Sequence, residues 1–397
     1  MRRRISIAQV LAAFVLLAAF APAPSAQLLN LTDWNSKLDP ALQQRALFLT
    51  GQSRVILRLT TSGALAPVAA QVSQLGGSVG LSLPIITGAS ATIPNAVIAV
   101  LAANPLVVHI SLDRAIAGAM ERTGPAVGAT AVRQELGVDG SGVGVAIIDS
   151  GVNASHDDLS ITGRVASFVD LVNNRSTAYD DYGHGTHVAG IIAGNGFDSG
   201  GARSGIAPGA HLIVLKALNA AGGGHTSDVI AALGYAVINK DVLNIRVINM
   251  SIAAPVSESF YADPLTLAAL SAVNSGIVVV AAAGNNGRSA GGRGQYGGIA
   301  APGNAPWVVT VGASSHMGTI NRRDDTVAAF SSRGPTAVDA WAKPDLVAPG
   351  VGIESLSDPN SAFYSTMSAY LLAGTLPTSY LPYLSLSGTS MSTPVVS

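Results

Sequence analysis

The sequence predicts an α/β fold with a mostly parallel central sheet, preceded by a smaller α+β domain. In residues 125–397, apolar runs bounded by glycine alternate with helix-like segments. Strands that are apolar along their whole length are typical of parallel sheets covered on both faces. The chain has 397 residues, of which 48% are hydrophobic and only 11% charged, so it can bury a large core.

The composition excludes several classes of site. There is no cysteine, which rules out disulfides, thiolate metal sites and a cysteine nucleophile. The net charge of −1 gives no electrostatic reason to expect a nucleic acid or an anionic membrane surface as a partner.

The N-terminus has the three parts of a secretory signal peptide. Arg2-Arg3-Arg4 precedes an apolar run over 5–20, and small residues follow as far as Ala26. This run is shorter than the roughly 20 apolar residues of a membrane-spanning helix. We therefore predict a signal peptide at 1–26, a secreted or periplasmic protein, and no membrane association after its removal. An uncleaved anchor is the minor alternative.

Residues 27–120 predict a small separate domain with the order βαββαβ, which is that of a ferredoxin-like fold. The predicted strands are 55–59, 79–83, 89–93 and 106–112, and the predicted helices are 66–75 and 94–103. The domain is poor in reactive residues, so it is either an accessory domain or a propeptide. Its position directly before the larger domain favours a propeptide, with a cut site in the charged linker 113–124.

Residues 121–397 form the larger predicted domain. Its predicted strands are 143–148, 212–217, 247–251, 277–283 and 308–313, and its predicted helices are 187–193, 226–239 and 265–275. In such sheets, sites form at the carboxyl ends of the strands.

Three motifs place an aspartate, a histidine and a serine at this edge. Asp149 ends an apolar run and precedes a turn, and His184 lies among small residues in Gly183–Gly190. Ser390 lies in Ser387–Pro394, where a glycine turn leads into a helix start. A serine there can attack a carbonyl if a base takes its proton and donors receive the oxyanion. Each motif alone also has a structural explanation, as a turn or a helix N-cap.

An amide and a second histidine accompany these motifs. Asn285 follows a glycine at a predicted strand end and can direct its N–H at a developing oxyanion, whereas Asn286 is better explained by an Asn-Gly turn. His187 stands three residues after His184, but metalloproteases of the His-Glu-x-x-His type need a four-residue spacing and the glutamate. We interpret His184 as the base and His187 as a packed structural histidine.

The three motifs together resemble the signatures of the subtilisin-like serine proteases, peptidase family S8. The segments are Asp149–Gly151, Gly183–Gly190 and Gly388–Pro394, in the chain order Asp, His, Ser. The resemblance runs from about residue 140 to the end, and the βαββαβ segment resembles the inhibitor-I9-like propeptide of that family. It implies a subtilisin-like three-layer α/β fold and a serine endopeptidase (EC 3.4.21) made as a self-processing zymogen.

The resemblance also implies roles for individual residues. Ser390 would be the nucleophile, His184 the general base and then acid, and Asp149 the group that orients the imidazole. Asn285 and the backbone N–H of Ser390 would form the oxyanion hole. The substrate would lie along Ser251, Ile252, Ala253, Ala282, Ala283 and Gly284. The family usually has glycine where this chain has Ala253, which would narrow the pocket for the residue before the cleaved bond.

No cofactor is expected for the chemistry, and no metal ligand set is assigned. Whether the chain binds a structural calcium ion is left open, because Asp158 falls where some relatives bind the ion. However, 195–204 does not resemble their ligand loop, and Asp180, Asp181 and Asp198 are equally explained as solvated loop carboxylates. The expected partners are a peptide or protein substrate and the chain's own propeptide as an intramolecular inhibitor, in a monomer that binds no nucleic acid.

The sequence departs from the family pattern at its end. It stops at Ser397, whereas the family continues with a long helix after the nucleophile. We interpret the sequence as C-terminally truncated, and 351–384 as a family-specific insertion. The alternative to an active endopeptidase is an inactive product in which the propeptide only binds the protease-like domain. A peptide-binding module is disfavoured, since it predicts a damaged triad.

Overall fold

The computed structural model describes residues 34–113 and 120–397. They belong to two compact units, which divide between residues 115 and 116. The predicted signal peptide and the centre of the predicted linker lie outside the described residues. Within the two described ranges, no helix is both long and apolar enough to cross a membrane.

The first unit has one four-stranded antiparallel sheet. Its strands are β1 Gln52–Leu59, β2 Ser78–Leu83, β3 Gly88–Pro94 and β4 Val107–Leu112, and its α-helices are α1 Pro40–Arg45, α2 Leu65–Gln74 and α3 Ile98–Ala102. The strands lie in the order β2-β3-β1-β4. The predicted order βαββαβ is confirmed, with α1 added before it.

The alternation of buried and exposed residues along β1 shows on which face of the sheet the core of this unit lies. Along β1, Val55, Leu57 and Leu59 are buried, whereas Arg54 and Arg58, at alternating positions, are exposed. Alternate side chains of a strand point to opposite faces, so one face of the sheet is apolar and the other solvated. The apolar face packs against Val68 and Val72 of α2.

The second unit contains the remaining elements. Its strands are β5 Gly144–Asp149, β6 Val165–Asp170, β7 His211–Lys216, β8 Ile245–Met250, β9 Val278–Ala282, β10 Val309–Ser315, β11 Thr326–Val327, β12 Leu346–Pro349, β13 Ile353–Leu356, β14 Leu371–Leu372 and β15 Tyr383–Leu386. Its α-helices are α4 Met120–Ala126, α5 Ala129–Leu136, α6 Asp157–Ser160, α7 His184–Ala193, α8 Thr226–Ile238, α9 Pro264–Asn274, α10 Ala362–Thr366 and α11 Thr389–Val396.

The large sheet of this unit has the order β11-β10-β9-β8-β5-β7-β6, with β12 also paired to β10. All pairs are parallel except β10–β11. The central strand β5 is buried at every position, as expected for a strand covered on both faces. The five predicted strands and three predicted helices are all present. Strands β6, β11 and β12 were not predicted; β6 lacks a continuous apolar run, and its residues are mostly half-buried.

Helices cover both faces of the sheet and make three layers. Ile148 of β5 belongs to a core shared with α8 and α9, whereas Ile147 belongs to a core shared with α7. Consecutive residues of a strand point to opposite faces, so β5 serves both cores. The predicted subtilisin-like α/β architecture is confirmed.

The segment 351–384 forms structure of its own. Strands β13, β15 and β14 make a small antiparallel sheet in that order. Its residues Ile353, Leu356, Tyr383 and Leu384 are buried in cores shared with α7 and α11. This sheet therefore belongs to the fold of the second unit. Whether it is an insertion relative to the family stays a prediction.

Helix α7 approaches this small sheet closely at Gly190. A Cβ atom at that position would lie 2.3 Å from Ser355 Oγ and 2.4 Å from Leu356 Cγ. By contrast, a Cβ atom on Gly234 in α8 would meet nothing within 4 Å. The two glycines provide a matched test of this packing, since both lie inside helices.

We expect Gly190→Ala to lower the free energy of unfolding by about 1–3 kcal/mol, because the added methyl overpacks the helix–strand contact. Gly234→Ala should raise it by about 0.5–1 kcal/mol, because alanine favours an open helix position. Urea unfolding of the two variants measures both values. Equal effects on stability would contradict the close contact of α7 with β13.

Candidate active site

Asp149 lies at the carboxyl end of β5 and is fully buried. Its Oδ1 accepts hydrogen bonds from the backbone N–H of Ser150 (2.7 Å) and from Nδ1 of His184 (2.7 Å). Because a carboxylate only accepts, Nδ1 of His184 carries the proton and Nε2 is left as an acceptor. Asp149 Oδ2 is buried without a hydrogen-bond partner among the described residues.

His184 is the first residue of α7, and Asp180 fixes the start of this helix. Asp180 Oδ1 accepts from the N–H of Gly183 (2.8 Å), and Oδ2 accepts from the N–H and hydroxyl of Thr186 (2.8 and 2.7 Å). The hydroxyl of Ser150 donates to Asp180 Oδ1 (2.9 Å). One buried carboxylate thus joins the start of α7 to the turn after Asp149.

The surroundings of His184 favour its protonated form. Burial alone would lower the pKa of the imidazole, but the negative charge and hydrogen bond of Asp149, with the charge of Asp180, raise it above 6.5. The imidazolium is therefore more stable here than in water, as a group that takes up a proton during a reaction requires.

Ser390 is the second residue of α11, which begins after Gly388. The carbonyl of Ser390 accepts a hydrogen bond from the hydroxyl of Ser251 (2.8 Å), and Gly388 N–H donates to the carbonyl of Gly350 (2.8 Å). No hydrogen bond joins the Ser390 hydroxyl to His184 in the part of the chain that the structure describes. Such bonds are often long in enzymes without substrate.

Asn285 lies beside the start of this helix. Its Oδ1 accepts from the N–H (2.9 Å) and hydroxyl (3.1 Å) of Thr389, and the Thr389 hydroxyl accepts from Gly284 N–H (3.2 Å). A backbone N–H needs an acceptor, so these contacts fix which end of the amide is oxygen. Asn285 is exposed, and a Cβ atom on Gly388, two residues before Ser390, would lie 3.5 Å from its Nδ2, which donates no hydrogen bond within the described residues.

The predicted substrate-binding residues of the first stretch lie at two cavities. Ser251 is 2% exposed and holds Ser390 in place, as described above. Ile252 and Ala253 line a cavity of about 390 Å³ together with His184. Ala253 and Ala254 line this cavity and also a second one of about 270 Å³.

The second predicted stretch lies behind the smaller cavity. Ala282 and Ala283 are 1% and 0% exposed, and Gly284 is also buried. A Cβ atom on Gly284 would lie 3.3 Å from Cβ of Ala300 and 3.5 Å from the carbonyl oxygen of Gly298, both of which line that cavity. These three residues therefore support the cavity wall, and their side chains contribute little of its surface.

His187 has the structural role expected for it. Its Nε2 lies 2.9 Å from the carbonyl oxygen of Leu384 and 3.2 Å from that of Ile353, which joins α7 to β15 and β13. Burial lowers the pKa of His187 to about 3, so the ring is neutral.

Lys216, which the sequence analysis did not single out, lies beside Asp149 in the register of β7 and β5. Its side chain is fully buried, and Nζ donates to Ser150 O (2.5 Å), Asp181 Oδ1 (2.6 Å) and Leu218 O (2.8 Å). The sequence contains a signal for this role, because a lysine within the apolar run 212–217 is expected to be buried, and a buried charge needs partners. Asp181 is thus paired with a cation rather than simply solvated.

A buried cluster lies around Asp158, the position considered for calcium. One donor atom each of His156, Asp158 and Asp198 lie within 4.8 Å of one another. His156 Nε2 contacts the carbonyl of Pro382 (2.9 Å), and Nδ1 accepts from Asp158 N–H (3.2 Å). The oxygens of Asp158 accept from Asp198 N–H and from the Tyr383 hydroxyl, each at 2.9 Å.

These side chains do not fit a calcium ion. Calcium takes six to eight oxygen ligands, whereas the oxygens of Asp158 already accept hydrogen bonds and the third donor is an imidazole. The carboxylate oxygens of Asp198 are buried and have no hydrogen-bond partner in the described parts of the chain, and burial raises the pKa of this group. The interpretation of Asp180 and Asp198 as solvated carboxylates is wrong, since they are 2% and 1% exposed.

Known proteins are similar in sequence to most of the second unit. The subtilase family (peptidase S8) profile matches residues 140–397, well over half of the chain. Serine protease AprX of Bacillus subtilis is 40% identical over 66% of this chain and 57% of its own length. Subtilisin E of the same species is 35% identical over 72% of this chain and 67% of its own length.

A solved structure also has a similar fold. The S41 psychrophilic protease superposes with a TM-score of 0.52 at 30% identity, over 68% of this chain and 80% of that one. The chain spans little more than half of the length of AprX. The matched family, the relatives and the sheet order agree, and the chain belongs to the subtilase family of serine peptidases.

Proposed function

We propose that this chain is a secreted serine endopeptidase that hydrolyses peptide bonds through Asp149, His184 and Ser390. The observation that carries the proposal is the 2.7 Å contact of His184 Nδ1 with the buried Asp149 carboxylate. This contact leaves Nε2 as an acceptor and stabilises the imidazolium that a general base becomes.

The proposed reaction has two steps. Ser390 Oγ bonds to the carbonyl carbon of the substrate while its proton passes to His184 Nε2, and the carbonyl oxygen takes the negative charge. His184 then gives this proton to the amine nitrogen as the C–N bond breaks, which leaves the acyl group on Ser390. Water then attacks the acyl group in the same way, with His184 first taking its proton and then returning a proton to Ser390 Oγ, and the carboxylic acid is released.

Two donors would stabilise the oxyanion. Asn285 uses its Oδ1 to hold Thr389 and keeps its Nδ2 as a donor. The backbone N–H of Ser390 lies in the first turn of α11, where N–H groups have no partner within the helix. Donors fixed before the reaction stabilise the transition state without reorganisation.

The smaller cavity indicates the substrate residue before the cleaved bond. The residues that line it are small or apolar, except for Asn286. Among the described residues, none of them carries a charge. An uncharged side chain of modest size fits such a pocket, and Ala253 adds a methyl group to its wall. We therefore propose peptides with an apolar residue at that position as substrates.

We further propose that the first unit is a propeptide that inhibits the peptidase until it is removed. The support is its βαββαβ fold and its position before the peptidase unit, with the linker 113–124 as the cut site. Secretion through the signal peptide 1–26 and a monomeric state belong to the same proposal.

Self-processing tests this proposal. We expect the chain without its signal peptide to lose a fragment of about residues 27–120, while Ser390→Ala keeps its full length, because only the first has the nucleophile. Intact mass spectrometry of the purified proteins measures this. Ser387→Ala is the matched control, since this neighbouring serine is exposed and should not prevent processing. Full-length protein in all three samples would favour the inactive alternative.

The activity should depend on pH through His184. Its pKa is raised above 6.5, and only the neutral ring accepts the proton of Ser390. We therefore expect kcat/KM for a peptide substrate to rise with pH and its acid limb to have an apparent pKa above 6.5. An acid limb at or below 6.5 would mean that the Asp149 charge does not act on His184 in solution.

The oxyanion hole can be tested separately from the triad. Removing one such donor from subtilisin, a member of the same family, costs about 10²- to 10³-fold in kcat. We expect Asn285→Leu and Asn285→Asp to lower kcat by this order with little change in KM, although the aspartate keeps the acceptor for Thr389. Asn173→Leu, at an exposed asparagine, is the control. A change in KM alone would contradict the assignment.

A further inference from the structure

Helix α11 contains a proline four residues after Ser390. In an α-helix, the carbonyl of each residue accepts a hydrogen bond from the N–H of the residue four positions later. For Ser390 this residue is Pro394, which has no N–H and whose ring crowds the carbonyl four positions before it. The helix therefore cannot supply the hydrogen bond that would fix the backbone of Ser390, although this residue carries the proposed nucleophile.

The hydroxyl of Ser251 supplies the missing donor. Its Oγ lies 2.8 Å from the carbonyl oxygen of Ser390, and a carbonyl oxygen can only accept. The single hydroxyl hydrogen of Ser251 is thus used on Ser390, and from any further partner this hydroxyl can only accept. Backbone carbonyls within a fold are almost always paired, so this bond replaces the one that the helix lacks.

Asn249 fixes the direction of the Ser251 hydroxyl. It lies near the end of β8 and is fully buried. Its Nδ2 donates to Ser251 Oγ (3.0 Å), and this direction follows because the hydroxyl hydrogen is already used. Its Oδ1 lies 2.9 Å from the hydroxyl of Ser397, the residue that follows α11. That hydroxyl shares its hydrogen between Asn249 and the carbonyl of Thr393, which is 3.1 Å away.

One buried side chain of β8 thus acts on both ends of α11. At the start of the helix, Asn249 acts through the Ser251 hydroxyl on the carbonyl of Ser390, and at the end it accepts from Ser397. The direction of this carbonyl fixes a backbone torsion of Ser390, and the Cβ and Oγ atoms move with that backbone. A misplacement of reacting atoms by about 1 Å can cost about 100-fold in rate, so this anchoring bears on the reaction.

We propose that Asn249 is a positioning residue for Ser390. It holds the Ser251 hydroxyl as the donor that replaces the N–H missing at Pro394. The proposal rests on the proposed endopeptidase function, in which Ser390 is the nucleophile and its backbone N–H a donor to the oxyanion.

The test combines Asn249→Leu with Pro394→Ala, because alanine at position 394 restores an N–H that can bond to the Ser390 carbonyl within the helix. We expect Asn249→Leu to lower kcat for a peptide substrate about 10- to 100-fold with little change in KM, since it displaces the nucleophile. In the presence of Pro394→Ala, the same substitution should lower kcat less than about threefold, because the helix then holds the carbonyl.

Two further variants separate positioning from stability. Asn304→Leu replaces another fully buried asparagine, which has no hydrogen-bond partner among the described residues, and should leave kcat unchanged. Ser251→Ala removes only a hydroxyl, so it should repeat the loss of kcat and its rescue by Pro394→Ala even if Asn249→Leu does not fold. A purely structural role, or a lost substrate contact of Ser251, predicts equal losses of kcat with and without Pro394→Ala. That result would overturn the proposal, as would a similar loss in Asn304→Leu.

The two proposals can fail separately, because the hydrogen bond can also be measured without turnover. In urea unfolding, Asn249→Leu should lower the free energy of unfolding less when Pro394→Ala is present. This coupling, together with no peptide hydrolysis by the unmutated chain, would sink the endopeptidase and keep the hydrogen-bond assignment. Hydrolysis with additive effects of the two substitutions on kcat and on stability would keep the endopeptidase and sink the role of Asn249.

Discussion

The contact between Asp149 and His184 is the constraint on which the rest of the second unit depends. The two residues are 35 positions apart, one at the end of a buried strand and one at the start of a helix. A parallel sheet brings strand ends and helix starts to one edge, and this edge also receives Ser390 and Asn285. A displacement of α7 by a fraction of an ångström would lengthen the contact, so the packing of α7 bears on the proposed chemistry as well as on stability.

Buried polar groups hold this edge together. Asp180 accepts from the start of α7 and from Ser150, while Lys216 donates to Ser150 and Asp181. Both groups are almost fully buried, and removing one partner of such a network leaves a charge or dipole without compensation. The network thus favours one arrangement of the strand end relative to the helix start, which is the arrangement that a preorganised site needs.

The sequence was sufficient for the architecture and for placing Asp149, His184, Ser390 and Asn285 at a strand end, turn or helix start, because each belongs to a local pattern, whereas their catalytic roles remain proposals. It was insufficient where the decisive partner lies far along the chain. Asp180 and Asp198 have the composition of solvated loop residues, and only the fold shows their burial. Phe363 likewise packs against the buried cluster that contains Leu386 and Met391, and only the fold shows that its ring contacts Tyr182.

The buried imidazole of His187 makes the free energy of unfolding of the second unit depend on pH. The unfolded chain takes up a proton on this ring near pH 6.5, whereas the folded protein does so only near pH 3. Between these values the unfolded state binds more protons, so acidification progressively favours unfolding. The burial of this ring, which joins α7 to the small sheet, therefore lowers the free energy of unfolding of the second unit as the pH falls from about 6.5 toward 3, independently of any requirement of the reaction itself.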